Sequence, residues 1–141
     1  MSVFEPAPPP WPSRILSVFR IVAMVVYISN GTMKLFGFPP PPPVMPPITP
    51  LSLLWIAGVL ETFGGSAILL GLFTRPVAFL LSGEMAVAYF HTHFPQSVYP
   101  TSNMGAPAIL YCFFFLYLVF AGPGAWSLDS MIARSKGRGV S

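Results

Sequence analysis

Charge is what this sequence lacks most. Of its 141 residues only seven are Lys or Arg and four Asp or Glu, 8% in all, where an ordinary soluble domain carries about a quarter. So few charged groups cannot clothe a core of this size in a polar skin, which excludes a soluble globular domain and makes lipid the expected outer solvent. Cysteine is almost as scarce. Cys112 is the single one, so there is no internal disulfide and no CxxC pair for dithiol chemistry. A Gly-rich dinucleotide fingerprint is missing too, as are histidines on facing helices that could hold a haem. Before Trp11 the chain has Glu5 and a run of prolines but neither the basic start nor the small-residue cleavage site of a secretory signal. The first apolar segment is therefore expected to stay as an anchor. The net charge is +3, yet the basic residues are scattered, and Arg134, Lys136 and Arg138 crowd the C-terminal end. No nucleic-acid partner is expected.

What is present is apolar length: 54% of the residues are hydrophobic. Four stretches are long enough, at about 1.5 Å per residue, to cross a hydrocarbon core of roughly 30 Å. They run over residues 14–36, 51–73, 76–94 and 104–121. The fold class expected is all-α, an antiparallel up-down bundle of four transmembrane helices. A Pro-rich N-terminal arm (1–13) precedes the membrane domain (14–121), and a cytoplasmic C-terminal tail (122–141) follows it. Between the first two stretches, Pro39 to Pro50 holds five consecutive prolines and three more, which forbids helix and favours extended polyproline backbone. Only Thr74 and Arg75 separate the second and third stretches, so these are expected to form a tight hairpin with Pro76 near a helix start. Gly122-Pro123-Gly124 ends the fourth. Arg14, Arg75, Arg134, Lys136 and Arg138 all fall on one side of a four-span arrangement, which makes that side cytoplasmic and places both termini there.

Three charged residues lie inside the apolar stretches: Arg20, Glu61 and Glu84. Each costs several kcal/mol at the bilayer centre unless paired or hydrated, so such residues face an interior. Counting helical rises puts Glu61 and Glu84 at a shared depth, and Arg20 close enough for its long side chain to reach toward Glu84. In the first stretch Arg20, Met24, Tyr27, Gly31 and Lys34 recur at steps of four and three, hence on one face. Glu84, Ala88 and His91 follow the same rule in the third. The candidate ligand-binding or buried polar network is Arg20, Tyr27, Lys34, Glu61, Glu84, His91 and His93. One reading is that these charges only lock the helices in register. The other is that they line a polar pocket that binds a head group, moves a proton, or both. His91 and His93 diverge on a helix, so no metal site is expected from them. The aromatics of 111–120 can stack a ring or simply pack.

Several segments carry a family resemblance. Gly58-Val59-Leu60-Glu61 leads to Gly64-Gly65, then LLGLFTRP (Leu69 to Pro76) and GEMAVAYF (Gly83 to Phe90). Gly31 and Lys34 precede them, and LYCFFFLYL (Leu110 to Leu118) and AGPGAWSLD (Ala121 to Asp129) follow. Taken together and in this order, they resemble the DoxX family of small bacterial membrane proteins. The resemblance implies an inner (cytoplasmic) membrane four-helix bundle, some of whose relatives are subunits of quinone-linked membrane complexes such as thiosulfate:quinone oxidoreductase. The chain departs from the pattern in two places. Asn103-Met104-Gly105-Ala106 stands where relatives often read Gly-Gly-Glu, and His91 where an apolar residue is the rule, whereas His93 matches.

The sequence shows no independent catalytic or redox centre and no evident cofactor, so electrons would have to come from a partner. The leading expectation is an accessory subunit of a membrane redox complex, with a bound quinone or lipid. Its partners would be the bilayer, membrane or peripheral redox subunits, and further copies of itself. The alternatives are a small proton-linked transporter or channel, and a purely structural assembly factor.

Overall fold

A computed structural model describes residues 10–138; the first nine residues of the N-terminal arm and residues 139–141 lie outside the described residues. Helix α1 covers Trp11–Phe36. It starts earlier than the hydropathy suggests because Pro12, in its first turn, accepts a position where no backbone donor is needed. It stops at Gly37, whose left-handed φ of 66° turns its N–H back onto the Met33 carbonyl. The proline strap follows without helix, largely exposed.

Helix α2 begins at Leu53, where the Ser52 hydroxyl caps the Trp55 N–H at 3.2 Å. It runs as α-helix over Leu53–Val59, widens into a π turn over Leu60–Gly64, and resumes over Gly65–Leu70. Gly71, with φ 67°, ends it, short of the expected Phe73. Helix α3 spans Thr74–Ala88 and likewise closes on a π turn, Tyr89–His93, with the Phe94 N–H bonded to the Tyr89 carbonyl five residues back. Helix α4 is Ala106–Ala121, opened by Pro107. The expected tail contains a further helix, α5, Leu128–Arg138. The described residues are thus all-helical, without strands.

Glycines let α1 and α2 close on each other in opposite directions. A Cβ on Gly31 would stand 2.6 Å from the Thr62 backbone nitrogen, and one on Gly65 would meet Ile28 and Tyr27, so small residues there permit backbone approach. Antiparallel α3 and α4 are tied by the Ser82 hydroxyl on the Cys112 carbonyl (2.8 Å) and by Arg75 on the Val119 and Phe120 carbonyls (2.7 and 2.8 Å). Tyr111 of α4 reaches α1, donating to the Ala23 carbonyl at 3.1 Å. Inside lie Met24, Tyr27, Ile68, Leu81, Phe115 and Leu118, essentially inaccessible, while Val22, Val25, Phe79, Phe113 and Phe120 stand outward and exposed. A shell as apolar as the core suits lipid rather than water. By length and composition α1 and α2 can each cross a membrane; α4 is apolar but shorter, with sixteen residues.

Candidate functional site

The buried charges separate into two groups at opposite ends of the packed helices. Arg20 is 1% exposed, but it does not reach Glu84 as expected. Its guanidinium turns the other way and donates to the carbonyls of Pro123 and Trp126 (2.6 Å to the latter), with Leu69 at 3.4 Å. The reason is local. Gly122 and Gly124, both at positive φ, fold the segment after α4 back beneath α1, and its turned-in carbonyls offer acceptors nearer than any carboxylate. The Ser17 hydroxyl accepts from the Trp126 N–H at 3.0 Å on the same segment.

Asp129, at the start of α5, completes this end. Its carboxylate accepts from the N–H groups of Phe73 and Thr74, both at 2.9 Å. It thereby caps α3 from 55 residues away, where Phe73 itself offers no cap. Burial pushes the Asp129 carboxyl up, but the Thr74 and Phe73 hydrogen bonds and the Arg20 charge together outweigh it and hold it below the usual aspartate range. Sequence reading had Asp129 only as part of a motif. An acidic residue just after a Gly-Pro-Gly turn was the available signal.

The other end gathers most of the remaining candidates. Lys34 grips both oxygens of Glu61 at 2.6 Å, and Glu61 is only 3% exposed. Tyr27 donates to Glu84 Oε2 at 2.6 Å. The second oxygen, Glu84 Oε1, is buried with no hydrogen-bond partner, as is the Thr62 hydroxyl. An orphan buried acceptor is costly, and polar atoms left so are exceptional in folded proteins.

His93 joins this end and His91 does not. Regular helical spacing sets Glu84, Ala88 and His91 in line, but the helix widens into a π turn there, and Thr92 and His93, not His91, follow Ala88 on that side. His91 is exposed. His93 stacks beside Tyr89, with ring centroids 6.5 Å apart, and its Nδ1 lies 2.9 Å from the Asn103 carbonyl. A carbonyl can only accept, so Nδ1 carries a proton and donates it. Asn103 is itself buried. Its side chain bonds the Ser97 carbonyl and the Gly105 N–H (2.7 and 2.8 Å), which shapes the loop that fixes His93.

Between α2 and α3 these groups front a cleft of about 820 Å³, within the size range of small-molecule sites. Lys34, Glu84 and His93 are in its wall, along with Ser82 and Cys112; most of the rest is apolar. Phe79, Leu80, Val87 and Leu116 also line it and belong to the exposed apolar surface, so the cleft opens sideways. Met45 of the proline strap lies at its rim and also borders a smaller hollow beneath the strap.

Comparison with known proteins places the chain. The DoxX family matches over residues 15–94, a segment that holds most of α1, the strap, α2 and α3, and with them Lys34, Glu84 and His93 of the cleft. An uncharacterized protein of Haemophilus influenzae is 42% identical over 118 residues, covering 82% of this chain and 88% of its own. The inner membrane protein YqjF of Escherichia coli is 32% identical over 118 residues, covering 82% and 89%. No solved structure matches. With the family's segment containing both the apolar helices and the buried charges they carry, the chain belongs to the DoxX family of membrane proteins.

Proposed function

We propose that this protein crosses the bacterial inner membrane four times, with both termini on the cytoplasmic side, and that its cleft binds a quinone or similar lipid-soluble ring for a membrane redox complex. The observation that carries this reading is the laterally open apolar cleft with Lys34, Glu84 and His93 in its wall. Such a site accepts a hydrophobic ring and tail from the bilayer and orients the ring with a few polar groups. The four crossings draw support from the alternation of α1 to α4 and their outward apolar shell. Orientation draws support from Arg14, Arg75, Arg134 and Lys136, which lie toward the Arg20 end. The inner-membrane placement is in keeping with the name of the Escherichia coli relative. Electron transfer would belong to partner subunits, with this chain positioning the ring.

Two other readings are less well supported. A proton-linked transporter needs polar groups continuing from Glu84 toward the Arg20 end, but Met24, Ile68, Leu81 and Phe115 fill that level and are apolar. A purely structural role gives no reason for an apolar cleft of this size opening beside Lys34, Glu84 and His93. The test is mild-detergent purification from native membranes, followed by organic extraction and identification of copurifying chains. About one quinone per chain, retained alongside redox subunits and lost in Lys34→Ala, is the expected result. Quinone at no more than its share of bulk lipid would overturn the proposal.

A further inference from the structure

We infer that the cleft holds its ligand in one direction, with the polar ring at the strap end and a single flexible tail running along α3 over Gly83 toward Phe79 and Leu116. This deepens the ring-binding reading above and rests on it. The polar side chains of the wall are not spread evenly along the cleft. Asn30, Lys34, Thr92 and His93 all lie in the last turns of α1 or of the α3 π turn, next to the strap. Met33, Lys34 and Met45 also border the hollow of about 290 Å³ beneath the strap, so this polar end adjoins the strap side of the molecule. Asn30 supplies an amide, Lys34 an ammonium and Thr92 a hydroxyl, so donors and acceptors are both present for a ring with oxygen substituents. Farther along, free polar groups run out. Glu84 gives one oxygen to Tyr27 and keeps the other buried, and the Ser82 hydroxyl is committed to the Cys112 carbonyl. Beyond these the wall is Phe79, Leu80 and Leu116.

Gly83 marks the path of the tail. A glycine inside a helix lowers its stability relative to alanine, and at Gly31, Gly64 and Gly65 the compensation is visible, because a Cβ there would press on a neighbouring helix. At Gly83 a Cβ would meet nothing within 4 Å, so no neighbour within the chain requires the glycine. What it borders is the cleft. Its bare backbone keeps a lane open past Glu84, between the polar end and the apolar one. From His93 to Phe79 is fourteen residues, about 20 Å of helix, against a hydrocarbon core of roughly 30 Å. Because Leu80, Val87 and Leu116 are both cleft wall and outward surface, the lane opens on lipid along its length, and a tail can slide in from the bilayer.

The experiment uses the full chain in phosphatidylcholine nanodiscs with two photoreactive benzoquinones that share a hexadecyl tail. One carries a diazirine on the ring and the other at the tail end; crosslinked residues are mapped by mass spectrometry, with decylubiquinone as competitor. The ring probe should mark 30–34 and 92–93, the tail probe 79–83 and 112–116, and the competitor should suppress both. A reversed pattern, or the same residues marked by both probes, would overturn the inference while leaving ring binding intact. Labelling spread over the outward apolar surface and indifferent to the competitor would overturn the ring-binding reading itself. Gly83→Leu gives an independent arm, and it should fold because its side chain enters open space. Blocking an occupied lane should weaken the tailed ring about tenfold or more, as overpacking does, while the tail-less ubiquinone ring binds as in wild type. Equal weakening of both would put the ring itself over Gly83, and no change in either would assign the lane to another occupant; each result overturns the proposed direction.

Discussion

Arg20 and Lys34 lie on one face of the same helix, and both are largely withdrawn from solvent, yet they do opposite things. Arg20 spends its donors on backbone carbonyls of the segment after α4, and Asp129 beside it spends its oxygens on backbone N–H groups at the start of α3. Lys34 and Glu84 meet side chains instead, and they border open space with one carboxylate oxygen unanswered. A buried charge held by backbone is a fastener, even with one donor, Arg20 Nε, left without a partner. One that is partly saturated by side chains at a cleft is available for a ligand. Burial alone does not separate the two; partner type does.

This contrast can be tested variant by variant. The largest loss of stability is expected from Arg20→Met, which strips several carbonyls of their donor. At about 1–3 kcal/mol for each buried group left unpaired, the total should be about 3 kcal/mol or more, seen as a sharp fall in melting temperature in detergent. Ligand per folded chain should be unchanged; loss of ligand in the folded fraction would break the division into two ends. Gly31→Ala comes next, since its Cβ would press on the Thr62 backbone. Overpacking of this kind costs about 1–3 kcal/mol. Because Glu61 is the neighbouring residue, ligand retention should fall together with melting temperature.

Asp129→Asn should cost about 1 kcal/mol, the usual worth of a helix cap. Its pH dependence has a definite sign. The folded-state pKa lies below the ordinary aspartate value, so the cap's contribution is complete above about pH 4 and fades as pH falls through the depressed value. Wild type should therefore lose stability on acidification more steeply than Asp129→Asn, as read by melting curves between neutral and strongly acidic pH. Smallest in stability is the double replacement Lys34→Met with Glu61→Leu. Removing both partners of a buried pair together is often near neutral, so melting should shift by less than about 1 kcal/mol while bound quinone drops at least tenfold. A large melting shift with quinone retained would mean that this pair, too, is a fastener.

Much of the helical framework can be read from composition. Runs of apolar residues broken by Pro, Gly and Ser mark α1 to α4, because those residues act locally: Gly37 and Gly71 end helices through their own backbone angles. The shared face of Tyr27 and Lys34 follows from regular 3.6-residue spacing and the nearness of Glu61 and Glu84 from a shared depth, but which carboxylate each of them meets does not. The partner of Arg20 could not be read this way, because its acceptors are main-chain carbonyls, which look the same in every sequence. Helix α5 was missed because Leu128–Arg138 is polar and short and lies beyond the apolar segments. His93 was already among the candidates; His91 was added to the same face because spacing rules assume one constant period, and a π turn breaks it.

Each of the two π turns amounts to one residue more than a regular helix would use, and each carries a residue of this end, Glu61, which holds Lys34, in one and His93 of the cleft wall in the other. In genetic terms each has the geometry that a single added codon would give when the flanking helix is too well packed to rotate. A helix can thus acquire a new inward-facing group without any change in the residues that pack it. Deleting one codon within 89–93 should reverse that step, exchanging the imidazole at the cleft for a neighbouring side chain while leaving the ties of Arg75 and Ser82 to α4 in place.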